Sequence, residues 1–239
     1  MTEFLTRSAL LLGDEAMERM QALRVAVIGL GGVGCAAAEA LCRTGVGHLL
    51  LVDHDTVDIT NLNRQIFYTH RHVGMNKVDV AAERLRDINP EAEIAALSCF
   101  YLPESSAAVF DFAPDCVVDA IDTVTAKLHL AVSCQERGVR LLMALGTGNR
   151  LDPSLLRVGD IAETSGSGCP LARVMRKELR QRGVLHQKVV YSTEVARKVL
   201  ASSENGRHSP GSISFVPPVA GYLLAAELVR DVLAESRLE

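Results

Sequence analysis

The chain has 239 residues, of which 48% are hydrophobic and 23% are charged, and its formal net charge is −4. This composition is typical of a globular protein with a packed core, and it argues against binding of polyanions through overall charge. The apolar stretches are too short or too interrupted to predict a membrane span, and no secretory signal is recognisable. Six cysteines without a CxxC pair argue against a zinc ribbon and favour a reduced, cytoplasmic setting.

Hydrophobic periodicity predicts the elements in chain order. The first are a helix at residues 8–23, a strand at 24–28, a helix at 35–45, a strand at 48–52, a polar segment at 54–76 and a helix at 77–88. Strands at 94–97 and 115–121, a helix at 126–137 and a strand at 141–145 follow. This alternation predicts an α/β fold with a Rossmann-like, doubly wound and mainly parallel sheet.

Beyond residue 146 the pattern weakens. It predicts flexible loops at 164–170 and 201–211, helices at 170–182 and 219–233, and a strand at 188–192. We interpret residues 1–239 as a single domain, with a nucleotide-binding core at about 24–146 and a C-terminal extension at about 147–239.

A glycine-rich loop, GLGGVG, lies between the first strand and its helix and contains Gly29, Gly31, Gly32 and Gly34. Glycines allow the backbone to approach phosphates, and the following helix N-terminus attracts their negative charge. Asp53 ends the second strand, where a carboxylate can hold ribose hydroxyls. This motif alone does not distinguish NAD, FAD and ATP.

A second group of polar residues favours ATP. It consists of Asp55, Asn61, Asn63, Arg64 and Lys77. A dehydrogenase needs no such cations, whereas adenylyl transfer builds charge on the α-phosphate and on the departing pyrophosphate, which Arg and Lys can offset. Asp122 follows a later strand at the carboxyl edge of the sheet, where one carboxylate beside phosphates suits Mg²⁺.

These motifs, GxGGxG, DxD, NxxRQ, GxxK and DAxD, resemble those of the ubiquitin-activating-enzyme-like superfamily, which includes the adenylyltransferases of molybdopterin-synthase and thiamine biosynthesis. The resemblance implies that Asp53 binds ribose, that Asn61, Arg64 and Lys77 hold ATP, and that Asp122 binds Mg²⁺. Arg64, Lys77 and Asp122 would also take part in catalysis.

A closer resemblance, to the tRNA threonylcarbamoyladenosine dehydratase branch, runs over nearly the whole chain. It rests on segments such as EALCRTGVGHLLLVDHDTVDITNLNRQIF, CPLARVMRKELRQRGV and PGSISFVPPVAGYLLA. The implied enzyme uses ATP to activate the threonylcarbamoyl carboxylate of a modified tRNA, and loss of the activated oxygen closes a cyclic ester.

The same resemblance implies partners. It implies a homodimer in which Arg7 reaches the ATP of the other copy and the helix at 219–233 packs against it. It also implies a monovalent cation in some members, which no residue pattern locates here, and it leaves open a sulfur-relay partner protein.

A basic helix is the predicted tRNA-binding surface. Arg173, Arg176, Lys177 and Arg180 fall on one helical face and could neutralise phosphates, although such faces are commonly only solvated. In the preceding loop, Cys169 lacks flanking basic groups, and we interpret it as structural rather than as a reactive thiol.

Two alternative functions remain from the sequence. One is adenylation of the C-terminal glycine of a ubiquitin-like sulfur-carrier protein by the same superfamily. The other is an NAD-binding oxidoreductase or nucleotide sensor, which would not depend on Arg64 or Lys77.

Overall fold

The computed structural model describes residues 3–198, 203–204, 207–208 and 210–235. Its main sheet has seven strands: β1 (Arg24–Ile28), β2 (His48–Asp53), β3 (Glu93–Ser98), β4 (Cys116–Asp119), β5 (Arg140–Ala144), β6 (Leu156–Asp160) and β7 (Lys188–Ser192). The strand order is β3-β2-β1-β4-β5-β7-β6, and every pair is parallel except β6 with β7. The predicted doubly wound, mainly parallel α/β fold is confirmed.

Eight helices accompany the sheet within the described residues: α1 (Thr6–Leu12), α2 (Asp14–Ala22), α3 (Gly32–Thr44), α4 (Lys77–Ile88), α5 (Ser106–Phe110), α6 (Val124–Arg137), α7 (Pro170–Gln181) and α8 (Val216–Glu235). Helices α3, α4 and α8 cover one face of the sheet, and α6 and α7 cover the other.

The alternation of β1 shows why the sheet is buried on both faces. Val25 and Val27 belong to the core beneath α3 and α8, whereas Ala26 and Ile28 belong to the core beneath α6 and α7. Successive side chains of a strand point to opposite faces, so a strand covered on both sides must be apolar throughout. The run RVAVI meets this requirement.

Helix α8 packs against α3 of the same chain. A Cβ on Gly221 would lie 2.2 Å from the Val33 carbonyl oxygen, so glycine permits the close approach of the two helices. Ala220, Leu224 and Leu228 are buried in this contact. The apolar face is therefore occupied within the chain, and the role of α8 in a dimer stays a prediction.

Several boundaries differ from the sequence-based expectation. The helix predicted at 8–23 is two helices, because Gly13 adopts φ = 86° between them. Strand β6 and helix α5 were not predicted. β6 is an edge strand whose Gly159 and Asp160 interrupt the apolar pattern. α5 has only five residues, too few for a clear helical period.

The loop predicted at 201–211 lies partly outside the described residues. Within it, two short strands, β8 (Ser203–Glu204) and β9 (Arg207–His208), form an antiparallel pair. Separately, none of the described helices has the length and apolar character needed to cross a membrane.

Candidate active site

A cavity of about 270 Å³ opens at the carboxyl ends of β1, β2 and β4. Parallel sheets of this type bind ligands at that edge. The cavity brings together nine of the residues predicted from sequence, namely Gly29, Gly31, Gly32, Asp53, Asp55, Asn61, Arg64, Lys77 and Asp122.

The glycines of the loop have different structural roles. Gly29 has φ = 92°, and a Cβ there would lie 2.6 Å from the Ala120 carbonyl oxygen. Gly31 has nothing within 4 Å of its hypothetical Cβ, which leaves room for a phosphate above it. Gly34 does not line the cavity. A Cβ on it would lie 1.7 Å from the Gly29 carbonyl oxygen, so this glycine allows the helix to pack under the loop.

Asp53 supports the glycine loop. Its Oδ2 accepts a hydrogen bond from the Leu30 N–H at 2.6 Å, and its Oδ1 accepts one from the Asp55 N–H at 2.8 Å. Both oxygens therefore hold backbone around the cavity, a role that sequence spacing did not indicate. The predicted contact with ribose stays a prediction.

Lys77 lies at the start of α4 with its side chain 6% exposed. Its Nζ lies 2.7 Å from Asp55 Oδ2, and its backbone N–H donates to the Asp55 carbonyl at 3.0 Å. This double contact fixes the position of the ammonium group before any ligand arrives, which reduces the reorganisation that catalysis requires.

Arg64 is held by neutral oxygens rather than by an acid. Its Nη1 donates to the Thr60 carbonyl at 3.0 Å and to Asn63 Oδ1 at 2.9 Å. Its positive charge therefore remains available to phosphates. Asn63 does not line the cavity; its Nδ2 donates to the Ser212 carbonyl at 3.0 Å. Asn63 thus positions Arg64, and its predicted contact with ATP stays a prediction.

Asn61, which does line the cavity, also caps a short 3-10 helix. Its Oδ1 accepts from the Asp58 N–H at 3.1 Å, while Asp58 accepts from the Thr60 N–H at 2.7 Å. This reciprocal arrangement satisfies exposed backbone donors and holds the segment that carries Arg64.

A buried ion pair fixes the turn before Asp122. Lys127 Nζ lies 2.9 Å from Asp119 Oδ1, and both side chains are fully buried. The ammonium also donates to the Ile121 carbonyl at 3.0 Å, while Asp119 Oδ1 accepts from the Ile121 N–H at 3.0 Å. Burial raises the pKa of the Asp119 carboxyl, and the adjacent ammonium opposes that shift. The ion pair thus binds both the N–H and the carbonyl group of Ile121.

Asp122 emerges exposed from this turn. Among the described residues its carboxylate accepts one hydrogen bond, from the Thr123 hydroxyl at 3.3 Å. Such a hard, available oxygen fits Mg²⁺, which needs few protein ligands. Ligand atoms of Asp53, His54 and Asp55 also lie within 4.8 Å of one another. Those carboxylates already accept hydrogen bonds from the protein, so Asp122 fits better.

Sequence reasoning missed several cavity residues. Gln65 is 4% exposed and lines the cavity, and its Oε1 has no hydrogen-bond partner among the described residues. Phe100 and His54 form an edge-to-face pair with centroids 4.4 Å apart, and Tyr101 lies beside them. The NxxRQ motif included Gln65, but the aromatic segment after β3 carries no motif.

Arg7 lies exposed on α1 and does not line the cavity. The nearby Leu5 packs against Gly45, in the loop that precedes β2. That loop lies at the opposite edge of the sheet from the nucleotide cavity. Arg7 therefore does not contribute to the cavity of its own chain, and its predicted role at the cavity of another copy stays a prediction.

Helix α7 presents a partly free basic face. Arg173, Lys177 and Arg180 are exposed and have no ion pair within the described part of the chain. Arg176 is half-buried, and its Nη1 donates to Thr164 Oγ1 at 2.8 Å, so it anchors the preceding loop. Val174 of the same helix is 42% exposed.

Cys169 is 6% exposed at the start of α7. Its Sγ would lie 3.3 Å from a Cβ on Gly146, which places the thiol in a packed contact. This burial supports the structural interpretation. Burial also raises the pKa of Cys35 to about 12 and of Cys42 to about 11, so neither thiol is activated.

Comparison with known proteins agrees with this geometry. The ThiF family model matches residues 5–238. The chain belongs to the ThiF family. Relatives that activate ubiquitin-like modifiers match smaller parts of it; the SUMO-activating enzyme subunit 2 of Dictyostelium discoideum is 30% identical over 62% of this chain and 22% of its own length.

Within the ThiF family the chain belongs with the tRNA threonylcarbamoyladenosine dehydratases. The Bacillus subtilis dehydratase is 39% identical over 98% of this chain and 96% of its own length. The Escherichia coli dehydratase is 37% identical over 78% of this chain and 72% of its own length. A crystal structure of the latter enzyme in complex with ATP has a TM-score of 0.88 at 32% identity, with 99% and 96% of the two chains covered.

Proposed function

We propose that this ThiF-family chain catalyses the ATP-dependent dehydration of threonylcarbamoyladenosine in tRNA. The observation that carries the proposal is the end-to-end identity of 39% with the B. subtilis dehydratase. The cavity supports it independently, because it combines a phosphate-sized opening with positioned cations and an available carboxylate. The protein acts as a cytoplasmic homodimer in this proposal.

The reaction has two steps. A carboxylate oxygen of the threonylcarbamoyl group attacks the α-phosphorus of ATP, and the bond to the pyrophosphate oxygen breaks. The carbamoyl oxygen then attacks the activated carboxyl carbon, AMP leaves with the former carboxylate oxygen, and a urea nitrogen loses its proton to solvent. The products are a cyclic ester, AMP and pyrophosphate, so the nucleoside loses the elements of one water molecule.

The chain supplies electrostatic stabilisation for the first step. Arg64, whose charge is not neutralised by an acid, offsets the charge on the departing pyrophosphate. Lys77, fixed by Asp55, also lines the cavity and contacts phosphate oxygens. Asp122 holds Mg²⁺, which when bound neutralises phosphate charge. Arg7 of the second copy adds a further cation.

The exposed cations of α7 bind the tRNA backbone in this proposal. Arg173, Lys177 and Arg180 contact phosphates, while Arg176 supports the helix from the loop side. Such contacts allow an acidic chain to bind a polyanion, because the charge on one local face rather than the net charge decides association.

Nucleoside mass analysis tests the proposal. Purified protein is incubated with ATP, Mg²⁺ and tRNA carrying threonylcarbamoyladenosine, and the digested nucleosides are weighed. We expect the modified nucleoside to lose the mass of one water only with ATP and not with the Asp122→Ala variant. An unchanged mass, with pyrophosphate release stimulated by a ubiquitin-like carrier protein, would overturn the proposal in favour of protein adenylation.

A further inference from the structure

Arg150 is a buried cation without a counter-charge. The residue is 5% exposed, and its Nε and Nη1 are enclosed without a hydrogen-bond partner. Within the described ranges of the chain it makes no ion pair. A buried charge is costly unless a partner compensates it. A group other than the described residues of this chain is therefore expected to satisfy this guanidinium.

The backbone beside Arg150 is tightly held. Asn149 adopts φ = 59°, a left-handed conformation that non-glycine residues rarely occupy. Its N–H donates to the Gly211 carbonyl at 2.7 Å, and its Oδ1 accepts from the Gly211 N–H at 2.6 Å. Its carbonyl accepts from the Arg197 N–H at 2.9 Å. These contacts maintain the strained turn that presents Arg150, as is common at binding sites.

The neighbouring acid does not neutralise Arg150. Both carboxylate oxygens of Glu194 accept from the Leu151 N–H, at 3.0 and 2.9 Å, and one also accepts from the Asp152 N–H at 2.9 Å. The carboxylate is therefore committed to the backbone of the two residues that follow Arg150. It stabilises the loop and leaves the guanidinium charge uncompensated.

Arg150 belongs to a loop at the same edge of the sheet as the nucleotide cavity. The loop that carries it follows β5, whose parallel neighbour β4 leads to Asp122 at the same sheet edge. Segment 210–217 connects the two regions, because Gly211 binds Asn149 and the Ser212 carbonyl accepts from the side chain of Asn63. Arg150 does not line the nucleotide cavity, so the triphosphate is not its partner.

We propose that Arg150 binds an oxyanion of the RNA substrate. This inference rests on the proposed function. The ligand is either the carboxylate that becomes activated or a phosphodiester beside it. The planar guanidinium fork matches both groups and makes charge-assisted hydrogen bonds to either.

The test compares Arg150→Gln and Arg150→Lys with the unaltered protein. Each is titrated with ATP and with an anticodon stem-loop RNA, prepared with and without the threonylcarbamoyl group. We expect Arg150→Gln to bind ATP normally and to bind the modified RNA about 10-fold more weakly or worse. Arg150→Lys should keep part of the affinity. Loss confined to modified RNA assigns the carboxylate, and equal loss on both RNAs assigns a phosphodiester.

Thermal melting and sedimentation separate this role from a structural one. Because no described residue of the free chain is a partner for Arg150, Arg150→Gln should melt at the same temperature as the unaltered protein or higher. Unchanged RNA affinity would overturn the inference. Earlier melting with loss of a dimer would also overturn it, and would assign the guanidinium to an acid of a second copy. RNA binding needs no turnover, so Arg150-dependent binding without nucleoside dehydration would count against the proposed function alone.

Discussion

Around the ends of β2 and β4, each buried lysine has an acid beside it, whereas Arg150 and the exposed Arg173, Lys177 and Arg180 of α7 have none among the described residues. Lys77 lies against Asp55 and Lys127 against Asp119. In the C-terminal part, Arg150 is buried without an acid, and the basic face of α7 is solvated. The first region holds its charges in fixed positions before any ligand binds. The second presents positive charge that only an incoming anion can neutralise.

This difference fits two kinds of ligand. A small nucleotide needs a few charges in fixed positions, since preorganised groups act without reorganisation in the transition state. A nucleic acid is bound through many phosphate contacts that need positive charge more than exact geometry. We call the surroundings of Lys77 and Lys127 the orienting region. We call Arg150 and the basic face of α7 the attracting region. The following changes test that division, from the largest expected effect to the smallest.

Replacing Lys127 by Met should cause the largest loss of stability. Asp119 would remain buried without its cation, and breaking one side of a buried pair typically costs about 3–5 kcal/mol. Urea unfolding measures the free energy directly. The double variant Lys127→Met, Asp119→Leu is the control and should regain most of the loss. A Lys127→Met protein as stable as the unaltered one would contradict the charge-pairing argument.

Replacing Arg64 by Gln should reduce turnover about 10²–10³-fold, because a charge that stabilises the transition state is lost. The free energy of unfolding should change little, since Arg64 is bound only to neutral oxygens. Nucleoside dehydration rates and urea unfolding are measured together. Asn63→Ala is the matched control and should lose less turnover, because it loosens Arg64 without removing the charge. Equal losses in the two variants would show that position matters more than charge.

Reversing two charges on α7 tests the attracting region. Arg173→Glu with Lys177→Glu should weaken tRNA binding by at least about 10-fold and flatten its dependence on salt, because two phosphate contacts are lost. ATP binding should not change. The control is Arg43→Glu with Arg230→Glu, which changes net charge equally on helices that cover the opposite face of the sheet. If both double variants weaken tRNA binding equally, the effect comes from net charge and α7 is not a specific tRNA-binding surface.

The sequence predicted the first region better than the second, for a physical reason. Phosphate binding requires glycine turns and cations at short spacings, so motifs identified Gly29, Arg64, Lys77 and Asp122. Burial and pairing depend on distant segments, so no motif distinguished Lys127 from an ordinary helical lysine. Arg150 was missed for the same reason.

Two predicted ligand residues, Gly34 and Asn63, do not line the cavity and have packing or positioning contacts instead. Gly34 is required by the Gly29 carbonyl beneath it, and Asn63 orients Arg64. Both lie in the right motif, and only their three-dimensional neighbours reveal the difference. Arg176 shares a surface with Arg173, Lys177 and Arg180, as helical spacing predicted, but the spacing did not reveal that its guanidinium donates to Thr164 Oγ1.

The C-terminal part also contains a cation that is paired with acids, so the contrast between the two regions does not extend to every residue. Lys188 of β7 lies 2.8 Å from both Glu227 and Asp231 of α8. Burial alone would raise the pKa of Glu227, but hydrogen bonds from Lys188 and Arg230 outweigh it and lower the pKa. This cluster joins two elements of the chain, so its charges serve the fold rather than a ligand.

The Glu227 pairing predicts a small, pH-dependent contribution to stability. A lowered folded-state pKa means that the contribution is present above the unfolded value of about 4.5 and is lost as pH falls through the folded value. Glu227→Gln should therefore lower the free energy of unfolding at neutral pH by about 1 kcal/mol or less, because Lys188 is partly exposed, and should lower the melting temperature slightly. The difference from the unaltered protein should vanish at pH well below 4.5. A difference that persists in acid would mean that Glu227 contributes by packing, and the ion pairs of this cluster would then be incidental to the attachment of α8.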